Sequence, residues 1–381
     1  MTSLQPNFEG RLLKTVFAEG IPDRVPIVEA GIDLSIKERF LGRPIQHLAD
    51  EIEFWQQAGY DFIPLEAGLR TVIDAAIHHE QTGRFESEKP DPAAIAAAKS
   101  FAIERLSPLH LTASGPTGDR RSWAPAGKGI LRDMADLEQF PWPDADDFDL
   151  SALQSANQQL PPGMGTLCFC GAVFSSVMLM LGFETAFVEM ATETEFFQRT
   201  TRKIVELQYK VVERLVRHDL VGGIWVNDDL GHRTGTLVNP KLLRKYFFPY
   251  YHELRRLTKS KDLPLLLHSD GRIVEVLPDL VEIGFNALHP IDPNCMTLQE
   301  TREIVGPDVC LIGNLSLTYP LGTGSPEDVA RETEALIRSA APAGAYCLSS
   351  GNSVPEYVPY ANWKAMRDTA LRVGAFPIGM E

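Results

Sequence analysis

The strongest constraint on the fold is a repeated pattern of short apolar segments that are rich in β-branched residues. Each segment ends in a loop that contains Gly or Pro, and several are followed by a stretch with helical spacing of apolar residues. The segments span residues 24–31, 61–68, 165–174, 222–229, 264–271, 286–293, 309–316 and 345–352. Continuously apolar segments are typical of parallel strands that are covered on both faces. Eight strand–helix repeats therefore predict an α/β fold, a (β/α)8 TIM barrel, rather than a doubly wound sheet.

Two intervening helices have clear start signals, and one region breaks the pattern. Asn239-Pro240 and Ser325-Pro326 each combine a capping residue with a proline at the first helical position. Residues 69–164 contain too many Gly- and Pro-marked turns for one strand–helix unit. We interpret residues 69–164 as a long insertion between strands 2 and 3, with its own hairpins, in a single barrel domain that comprises residues 1–381.

Composition excludes several classes of partner. The chain is 44% hydrophobic and 23% charged, as expected for a globular protein, and its net charge of −15 argues against nucleic-acid or anionic-membrane binding. Five cysteines without a CxxC pair indicate a reducing compartment. The first 20 residues lack the apolar run of a signal peptide, and the most apolar stretch, residues 171–190, is interrupted by Gly182 and Glu184. These features predict a cytoplasmic protein.

Active-site residues of a (β/α)8 barrel lie where the strands end. In this chain those positions carry two histidines, several carboxylates and several thiols. The polar residues at these ends are Glu29, Asp33, Glu66, Cys168, Cys170, Asn227, Asp228, Asp229, His268, Asp270, His289, Asp292, Asn314, Cys347, Ser349 and Asn352. Their convergence on one rim predicts a functional site.

The best candidate within this set is His268-Ser269-Asp270-Gly271, at the end of the fifth segment. Side chains two residues apart in an extended chain point the same way, so His268 and Asp270 can reach one ligand at the barrel mouth. An imidazole beside a carboxylate suits a divalent metal such as zinc, or a general acid–base pair. The following residues, 272–284, predict a helix whose positive end lies near Asp270. A plainer alternative is that His268 binds a backbone carbonyl while Asp270 caps that helix.

The other candidates also have structural alternatives. Asp229 or Asn227 would be suited to holding the turn that follows its strand. Asp292 lies in a segment that two prolines mark as a turn. A single Cys such as Cys347 is more often a small buried apolar residue than a ligand.

The order of motifs along the chain resembles that of the uroporphyrinogen decarboxylase superfamily. The motifs are "GIPDRVP", "AGYDFIP", "NDDLG", "LHSDG", "LPDLVEIGFNALHPIDP", "LIGNLS…LGTGSPEDV" and "YCLSSGNSVPEYVPYANWKAM". The resemblance spans almost the whole chain and implies a (β/α)8 barrel. Members include uroporphyrinogen decarboxylases and zinc-dependent methyltransferases that work with corrinoid proteins or coenzyme M.

Two departures from the family motifs bear on the reaction. Uroporphyrinogen decarboxylases carry an arginine-rich signature near "MRQAGRY", whereas residues 27–40 read "IVEAGIDLSIKERF", so a porphyrinogen's carboxylates would stay unpaired. The methyltransferases hold zinc with His-x-Cys and a later Cys. Here His268-x-Asp270 replaces the first motif, and Gly351-Asn352-Ser353 best matches the second, with Cys347 as a rival. Fewer thiolates imply a more Lewis-acidic metal, which favours demethylation of a methoxylated or methylamine substrate over thiol methylation.

The resemblance therefore implies a methyltransferase or demethylase that moves a methyl group between a small substrate and a corrinoid protein, tetrahydrofolate or a thiol, in a homodimer. Zinc would be held by His268 and Asp270 with either Cys347 or Asp292. Asp228 or Asp229 would act beside His268 as proton donor or substrate anchor. The expected substrate-binding residues are Glu29, Asn227, His289 and Asn352. Two alternatives remain: a decarboxylase-like enzyme that uses Asp229 and His268 on a smaller acid, and a non-catalytic ligand-binding barrel.

Overall fold

The structure is a computed structural model that describes residues 4–69, 93–106 and 127–379. Seven parallel strands form the main sheet, in the order β1-β2-β3-β6-β7-β8-β9, and the short strands β4 and β5 pair as an antiparallel hairpin. The strands are β1 Phe62–Glu66, β2 Gly165–Phe169, β3 Ile224–Asn227, β4 Gly231–His232, β5 Gly235–Thr236, β6 Leu265–His268, β7 Ala287–His289, β8 Cys310–Leu315 and β9 Tyr346–Ser350. Seven of the eight predicted segments thus contain strands of one parallel sheet.

The first predicted segment, residues 24–31, forms an isolated bridge instead of a regular strand. Ile27 pairs with Leu348 of β9 in the parallel sense. Val28 N donates to Leu348 O at 2.9 Å, and Leu348 N donates to Pro26 O at 3.0 Å. Pro26 has no N–H to continue the ladder. The segment lies beside β9 in the α/β barrel, whereas a pairing with β1 that would close a ring of eight strands stays a prediction.

Helices connect the strands. They are α1 Lys14–Val16, which continues the wider turn Phe8–Leu13, α2 Leu34–Leu41, α3 Leu48–Gln57, α4 Ala93–Leu106, α5 Met134–Gln139, α6 Ser151–Gln159, α7 Phe174–Leu181, α8 Phe183–Ala191, α9 Glu195–Leu215, α10 Pro240–Tyr246, α11 Phe248–Lys259, α12 Leu277–Ile283, α13 Leu298–Val305, α14 Pro326–Ala340 and α15 Tyr360–Val373. Shorter turns of helix cover Ala145–Asp147, Val274–Val276 and Leu317–Gly322.

The predicted helix starts at Asn239 and Ser325 are confirmed. The Asn239 side chain accepts from Lys241 N, and Ser325 forms a capping box with Asp328. The helix expected after Asn239 is interrupted at Phe247, and α11 begins with Pro249 in its first turn. A proline is tolerated there but cannot continue the hydrogen bonds of α10, so one predicted helix becomes two.

The apolar side chains that face the barrel interior form a cluster of their own. It includes Phe62, Leu167, Phe169, Trp225, Leu266, Ala287, Cys310, Ile312 and Cys347. Phe8, Leu12 and Val16 from the N-terminal helical segment join this cluster and close the amino-terminal end of the barrel. A Cβ at Gly165 or Gly222 would lie 2.4 Å from the Phe8 ring, so Phe8 can pack there only because both positions lack a side chain.

The segment between β1 and β2 is only partly described. Its described residues, within 93–106 and 127–164, form α4, α5, α6 and the short turn Ala145–Asp147, and the predicted hairpins do not occur among them. Residues 70–92 and 107–126 lie outside the described residues. The insertion and its boundaries therefore stay a prediction.

No helix among the described residues is by itself long and apolar enough to cross a membrane. α7 and α8 meet that criterion only as a pair, and they are bent by 112° relative to each other.

Candidate metal centre at the carboxyl ends of the strands

His268 lies between two carboxylates at the carboxyl end of β6. Its Nε2 is 3.5 Å from Asp229 Oδ1 and 3.7 Å from Asp270 Oδ1. One donor atom from each of the three residues lies within 4.8 Å of the other two. His268 and Asp229 are 5% and 4% exposed, whereas the Asp270 side chain is 37% exposed and borders solvent. The predicted pair of His268 and Asp270 is thus brought together at the barrel mouth, with Asp229 as a third group.

Sheet register explains why these residues meet. β3 and β6 are neighbours in the sheet, and Asn227 is aligned with His268. The chain beyond Asn227 therefore runs beside the chain beyond His268. Asp270 N donates to Asp229 Oδ1 at 3.1 Å, and Ser175 Oγ accepts from Asp229 N at 3.1 Å. These backbone contacts hold the Asp229 carboxylate beside the imidazole.

Asp270 is held from the opposite side of the barrel. Asn352, just after β9, donates from Nδ2 to Asp270 Oδ2. The helical residues that follow begin only at Val274, and α12 begins at Leu277. The alternative in which Asp270 caps that helix is therefore wrong: its carboxylate contacts Asn352 and His268 instead of a first turn.

A second imidazole lies behind His268, on the next strand. His268 Nδ1 is 2.8 Å from His289 Nδ1, and the two residues are aligned in the parallel pairing of β6 with β7. His289 Nε2 lies 3.2 Å from Ser349 Oγ. Burial and the neighbouring His268 lower the pKa of His289 well below its usual value, so His289 is neutral at physiological pH.

Glu29 ends this row of polar side chains. It is fully buried and accepts hydrogen bonds from Ser350 N at 2.8 Å, Ser350 Oγ at 2.6 Å and Ser349 Oγ at 3.4 Å. Burial raises the pKa of Glu29 to about 8, despite these hydrogen bonds. Glu29 was predicted to bind substrate; the structure surrounds its carboxyl group with Ser349 and Ser350, and the predicted role stays a prediction.

A cleft of about 440 Å³ opens next to the three-residue group. Asp270, Asp292, Cys295 and Arg233 lie along it. Burial and the adjacent Asp292 carboxylate raise the pKa of Cys295 to about 12, so this thiol is neutral. A larger groove of about 640 Å³ lies between α11 and α12 and contains none of the predicted site residues. The smaller cleft borders the three-residue group through Asp270.

Asp228, Cys347 and Asp292 make contacts with neighbouring protein groups and do not join the three-residue group. Asp228 is fully buried and accepts from Val173 N at 2.9 Å, Ser175 N at 2.7 Å and Tyr251 Oη at 2.7 Å. It fixes the start of α7, and burial raises its pKa against these hydrogen bonds. This contact set leaves the predicted chemical role to Asp229, the next residue, whose side chain points the other way.

The third ligand predicted as Cys347 or Asp292 is not in the group. Cys347 is fully buried one layer deeper in the barrel, with its sulfur 3.7 Å from Cys310 Sγ, and burial raises its pKa well above the usual value. Asp292 accepts from Asn294 N at 2.9 Å and from Cys295 Sγ at 3.2 Å, so it holds its own turn while lining the cleft. The structure brings Asp229 to the position for which these residues were proposed.

A strand-end site in an α/β barrel defines the class of protein, and the comparisons with known proteins narrow it. Residues 122–373, about two thirds of the chain, match the family described as uroporphyrinogen decarboxylase (URO-D). The chain belongs to this family, which confirms the resemblance that its motifs indicated. No curated protein matches the chain significantly.

Solved structures support the fold. A methyltransferase from Methanosarcina mazei is similar with a TM-score of 0.64 and 15% identity, over 96% of this chain and 98% of that chain. A glycoside hydrolase family 10 endo-β-1,4-xylanase from Gloeophyllum trabeum has a TM-score of 0.39 and 11% identity, over 60% of this chain and 82% of that chain. The first likeness shows that the two chains share a fold, and the second is too distant to carry an argument.

Proposed function

We propose that this protein is a metal-dependent methyltransferase of the URO-D family that moves a methyl group between a small methylated substrate and a corrinoid protein, a folate or a thiol. The observation that carries the proposal is the convergence of Asp229, His268 and Asp270 on one point beside a cleft. The methyltransferase from Methanosarcina mazei, which shares the fold over almost the full length of both chains, supports the same reaction class.

The residues present fit a divalent metal. One imidazole nitrogen and two carboxylate oxygens are donors that zinc accepts, and a three-residue set leaves a coordination position for substrate, as in catalytic sites. The second nitrogen of His268 is within hydrogen-bond distance of His289, which is the support that metal-binding histidines usually have. Two adjacent carboxylates repel each other unless a cation lies between them.

Bound there, the metal would supply Lewis acidity toward the heteroatom that carries the methyl group. Its donor set contains no thiolate, which favours an oxygen or amine substrate over a soft thiol. The Cys295 thiol in the cleft donates to Asp292 and does not belong to the three-residue group. We therefore infer demethylation of a methoxylated or methylamine compound as the reaction direction.

Metal content tests this proposal most directly. We expect protein purified without a His tag to contain close to one zinc per chain by elemental analysis, and to lose both zinc and methyl transfer in the His268→Ala variant. His252, an exposed histidine on α11, provides a matched control, because His252→Ala removes an imidazole from the larger groove only. Transfer would be measured by methylation of free cob(I)alamin from methoxylated and methylamine substrates.

Protein that contains no stoichiometric metal and whose activity is unchanged by His268→Ala would contradict the proposal. Tight binding of a small ligand without turnover would indicate the non-catalytic alternative.

A second candidate is a decarboxylase-like enzyme that acts on a small carboxylic acid. The contact of Asp229 with His268 at 3.5 Å favours it, because an imidazole oriented by a carboxylate is a general acid–base pair. Activity that survives chelators, with carbon dioxide among the products, would select this alternative over methyl transfer.

A further inference from the structure

Four side chains from four different segments form one continuous hydrogen-bonded row from the metal centre into the protein. The row runs from His268 Nδ1 to His289 Nδ1 at 2.8 Å, from His289 Nε2 to Ser349 Oγ at 3.2 Å, and from Ser349 Oγ to Glu29 Oε2 at 3.4 Å. All four residues are at most 5% exposed. Water therefore has little access to the row, and its members are satisfied by one another and by adjacent protein groups, such as the Asn352 backbone that also contacts His289.

The backbone fixes the direction of donation at the inner end. Ser350 N donates to Glu29 Oε1 at 2.8 Å, so this oxygen must be an acceptor. The other oxygen, Oε2, faces the hydroxyls of Ser349 and Ser350. Once Glu29 is ionised, above its raised pKa of about 8, its carboxylate can only accept, so Ser349 then donates its proton to Glu29 and accepts from His289 Nε2–H.

The same logic continues to the metal centre. With its proton on Nε2, neutral His289 has an acceptor at Nδ1, and His268 must then donate its own Nδ1–H to it. The lone pair of His268 Nε2 is thereby directed toward Asp229 and Asp270. This is the form of the imidazole that a metal requires.

We propose that Glu29, in its ionised form, is a positioning residue for metal binding, and that it acts through Ser349 and His289 to select the tautomer of His268 whose Nε2 faces the metal. The proposal rests on the proposed metal centre for its functional meaning, but the row of hydrogen bonds exists independently of it. Glu29 approaches no metal-facing atom, so its effect would be transmitted only through the orientation of three intervening groups.

Replacing one carboxylate oxygen of Glu29 by an amide nitrogen should reverse the direction of hydrogen-bond donation along the row. In Glu29→Gln the carbonyl must still accept from Ser350 N, which leaves the amide NH2 facing Ser349. Ser349 would then accept from the amide and donate to His289 Nε2, and the proton of His289 would move to Nδ1. His268 Nδ1 would become an acceptor, and its proton would occupy Nε2, where a metal has to bind.

The first readout is the tautomer of His289, measured by ¹⁵N NMR of histidine-labelled, metal-free protein. Because burial raises the pKa of Glu29 to about 8, the spectra should be recorded at about pH 9, where Glu29 is ionised. The buried phenol of Tyr60 faces the same carboxyl, and burial raises its pKa well above the usual value, so it stays neutral there. We expect an Nε2–H tautomer of His289 in the wild type and an Nδ1–H tautomer in Glu29→Gln.

The second readout is zinc affinity by calorimetry with zinc ion alone, at the same pH of about 9, where wild-type Glu29 is ionised and differs from Gln in its hydrogen bonding. We expect Glu29→Gln and Ser349→Ala each to weaken zinc binding about 10- to 100-fold, the usual effect of losing a supporting hydrogen bond to a metal ligand. Ser350→Ala is the matched control, because Ser350 contacts the same carboxylate without belonging to the row. Its zinc affinity and its His289 tautomer should match those of the wild type.

The two readouts separate this inference from the proposed function. An unchanged His289 tautomer in Glu29→Gln, with zinc affinity unchanged in both Glu29→Gln and Ser349→Ala, would overturn the inference even if zinc binds. A reversed tautomer in a protein that binds no zinc would support the row and overturn the metal centre. Ser349→Ala keeps the test decisive if Glu29→Gln does not fold.

Discussion

The amino-terminal (lower) and carboxyl-terminal (upper) ends of the barrel hold charged groups in opposite ways. At the amino-terminal end, Arg11 pairs with Asp23 at 2.6 Å and with Asp61 at 2.5 Å, and Arg24 lies 3.8 Å from the same Asp61 oxygen. At the carboxyl-terminal end, two carboxylates face one imidazole. The first arrangement balances two cations against two anions. The second places the carboxylates of Asp229 and Asp270 beside the His268 imidazole, with no permanent cation among the three.

The contrast suggests that one end of the barrel contributes mainly to fold stability and the other mainly to ligand binding. The charges of the lower cluster, Arg11, Asp23, Arg24 and Asp61, compensate one another without a ligand. Removing one of them would leave a buried charge without its partner and destabilise the fold. At the upper end, the neighbouring carboxylates of Asp229 and Asp270 repel each other when no ligand is bound, which lowers stability. Functional sites are commonly destabilising in this way. We therefore expect the lower end to control folding and the upper end to control metal binding, with little effect of one on the other.

The largest effect should come from Arg11→Met, which keeps much of the side-chain volume and removes the charge. Asp61 is fully buried and would keep the hydrogen bond from Asn7 N, but only the more distant Arg24 as a cation. We expect the free energy of unfolding to fall by about 3–5 kcal/mol, measured by urea denaturation at neutral pH.

Arg244→Met is the matched control, because the Arg244–Asp279 pair is largely exposed on the guanidinium side and should contribute about 1 kcal/mol or less. Equal losses in the two variants would break the comparison, as would a large change of zinc affinity in Arg11→Met.

The next effect is a pH dependence that originates at the upper end. The pKa of Glu29 is raised by burial from 4.5 to about 8. Between these values the unfolded chain ionises Glu29 while the folded protein keeps the proton, so stability falls as the pH rises through this window and levels off above it. The contribution is about 1.4 kcal/mol per pH unit. Comparing urea unfolding of the wild type and Glu29→Gln from pH 5 to 9 measures it, and parallel curves would contradict it.

Asp23 at the lower end should show the opposite sign. Its hydrogen bond to Arg11 lowers its pKa below the ordinary 3.8, against the effect of burial. The stabilisation from Asp23 is therefore present above pH 3.8 and is lost as the pH falls below that value. Asp23→Asn should flatten the acid side of the stability profile and leave the alkaline side unchanged.

Zinc should raise the free energy of unfolding by binding at the upper end, and this gain should be smaller than the loss in Arg11→Met. At a free zinc concentration 100-fold above the dissociation constant, the gain is about 2.7 kcal/mol. The gain should be the same in the wild type and in Arg11→Met, because distant sites contribute independently. His268→Ala should show none in the same titration followed by thermal unfolding. A gain that shrinks in Arg11→Met would show that the two ends are coupled.

The smallest effect is expected for Asn352→Ala, which removes the donor to Asp270 and leaves all three metal-facing groups in place. Zinc affinity should fall about 10-fold, the lower limit for a supporting residue, with metal-free stability little changed. Calorimetry with zinc checks the affinity. An unchanged affinity would show that Asp270 is held mainly by its backbone.

Local sequence patterns were sufficient to point to two members of the candidate metal centre. The spacing of His268 and Asp270 at the end of an apolar run predicted a shared ligand, and the structure brings both to the barrel mouth with His268 facing His289 across two strands. The prolines and caps at Asn239 and Ser325 marked helix starts because capping depends on residues a few positions apart. The interruption at Phe247 was missed, although Pro249 was a signal for it.

The roles within the site required contacts between distant segments. Asp228 and Asp229 are adjacent in sequence, yet one fixes α7 and the other faces His268, because successive side chains of an extended chain point in opposite directions. Ser175, which positions Asp229, carried no local signal. Cys347 and Ser349 lie on the same face of β9, and only their depth in the barrel separates a packing residue from a member of the polar row.

By itself the sequence determined the alternation of strands and helices and the set of polar residues at the strand ends, because each depends on patterns within about ten residues. It also determined the family, through the order of its motifs along the chain. The tertiary structure decided which of those residues meet. Glu29 and Ser349 are separated by 320 positions and touch because the segment containing Ile27 pairs with β9. Asp229 reaches His268 because β3 and β6 are neighbours in register. Strand order and register arise from packing of the whole barrel, and no local pattern specifies them.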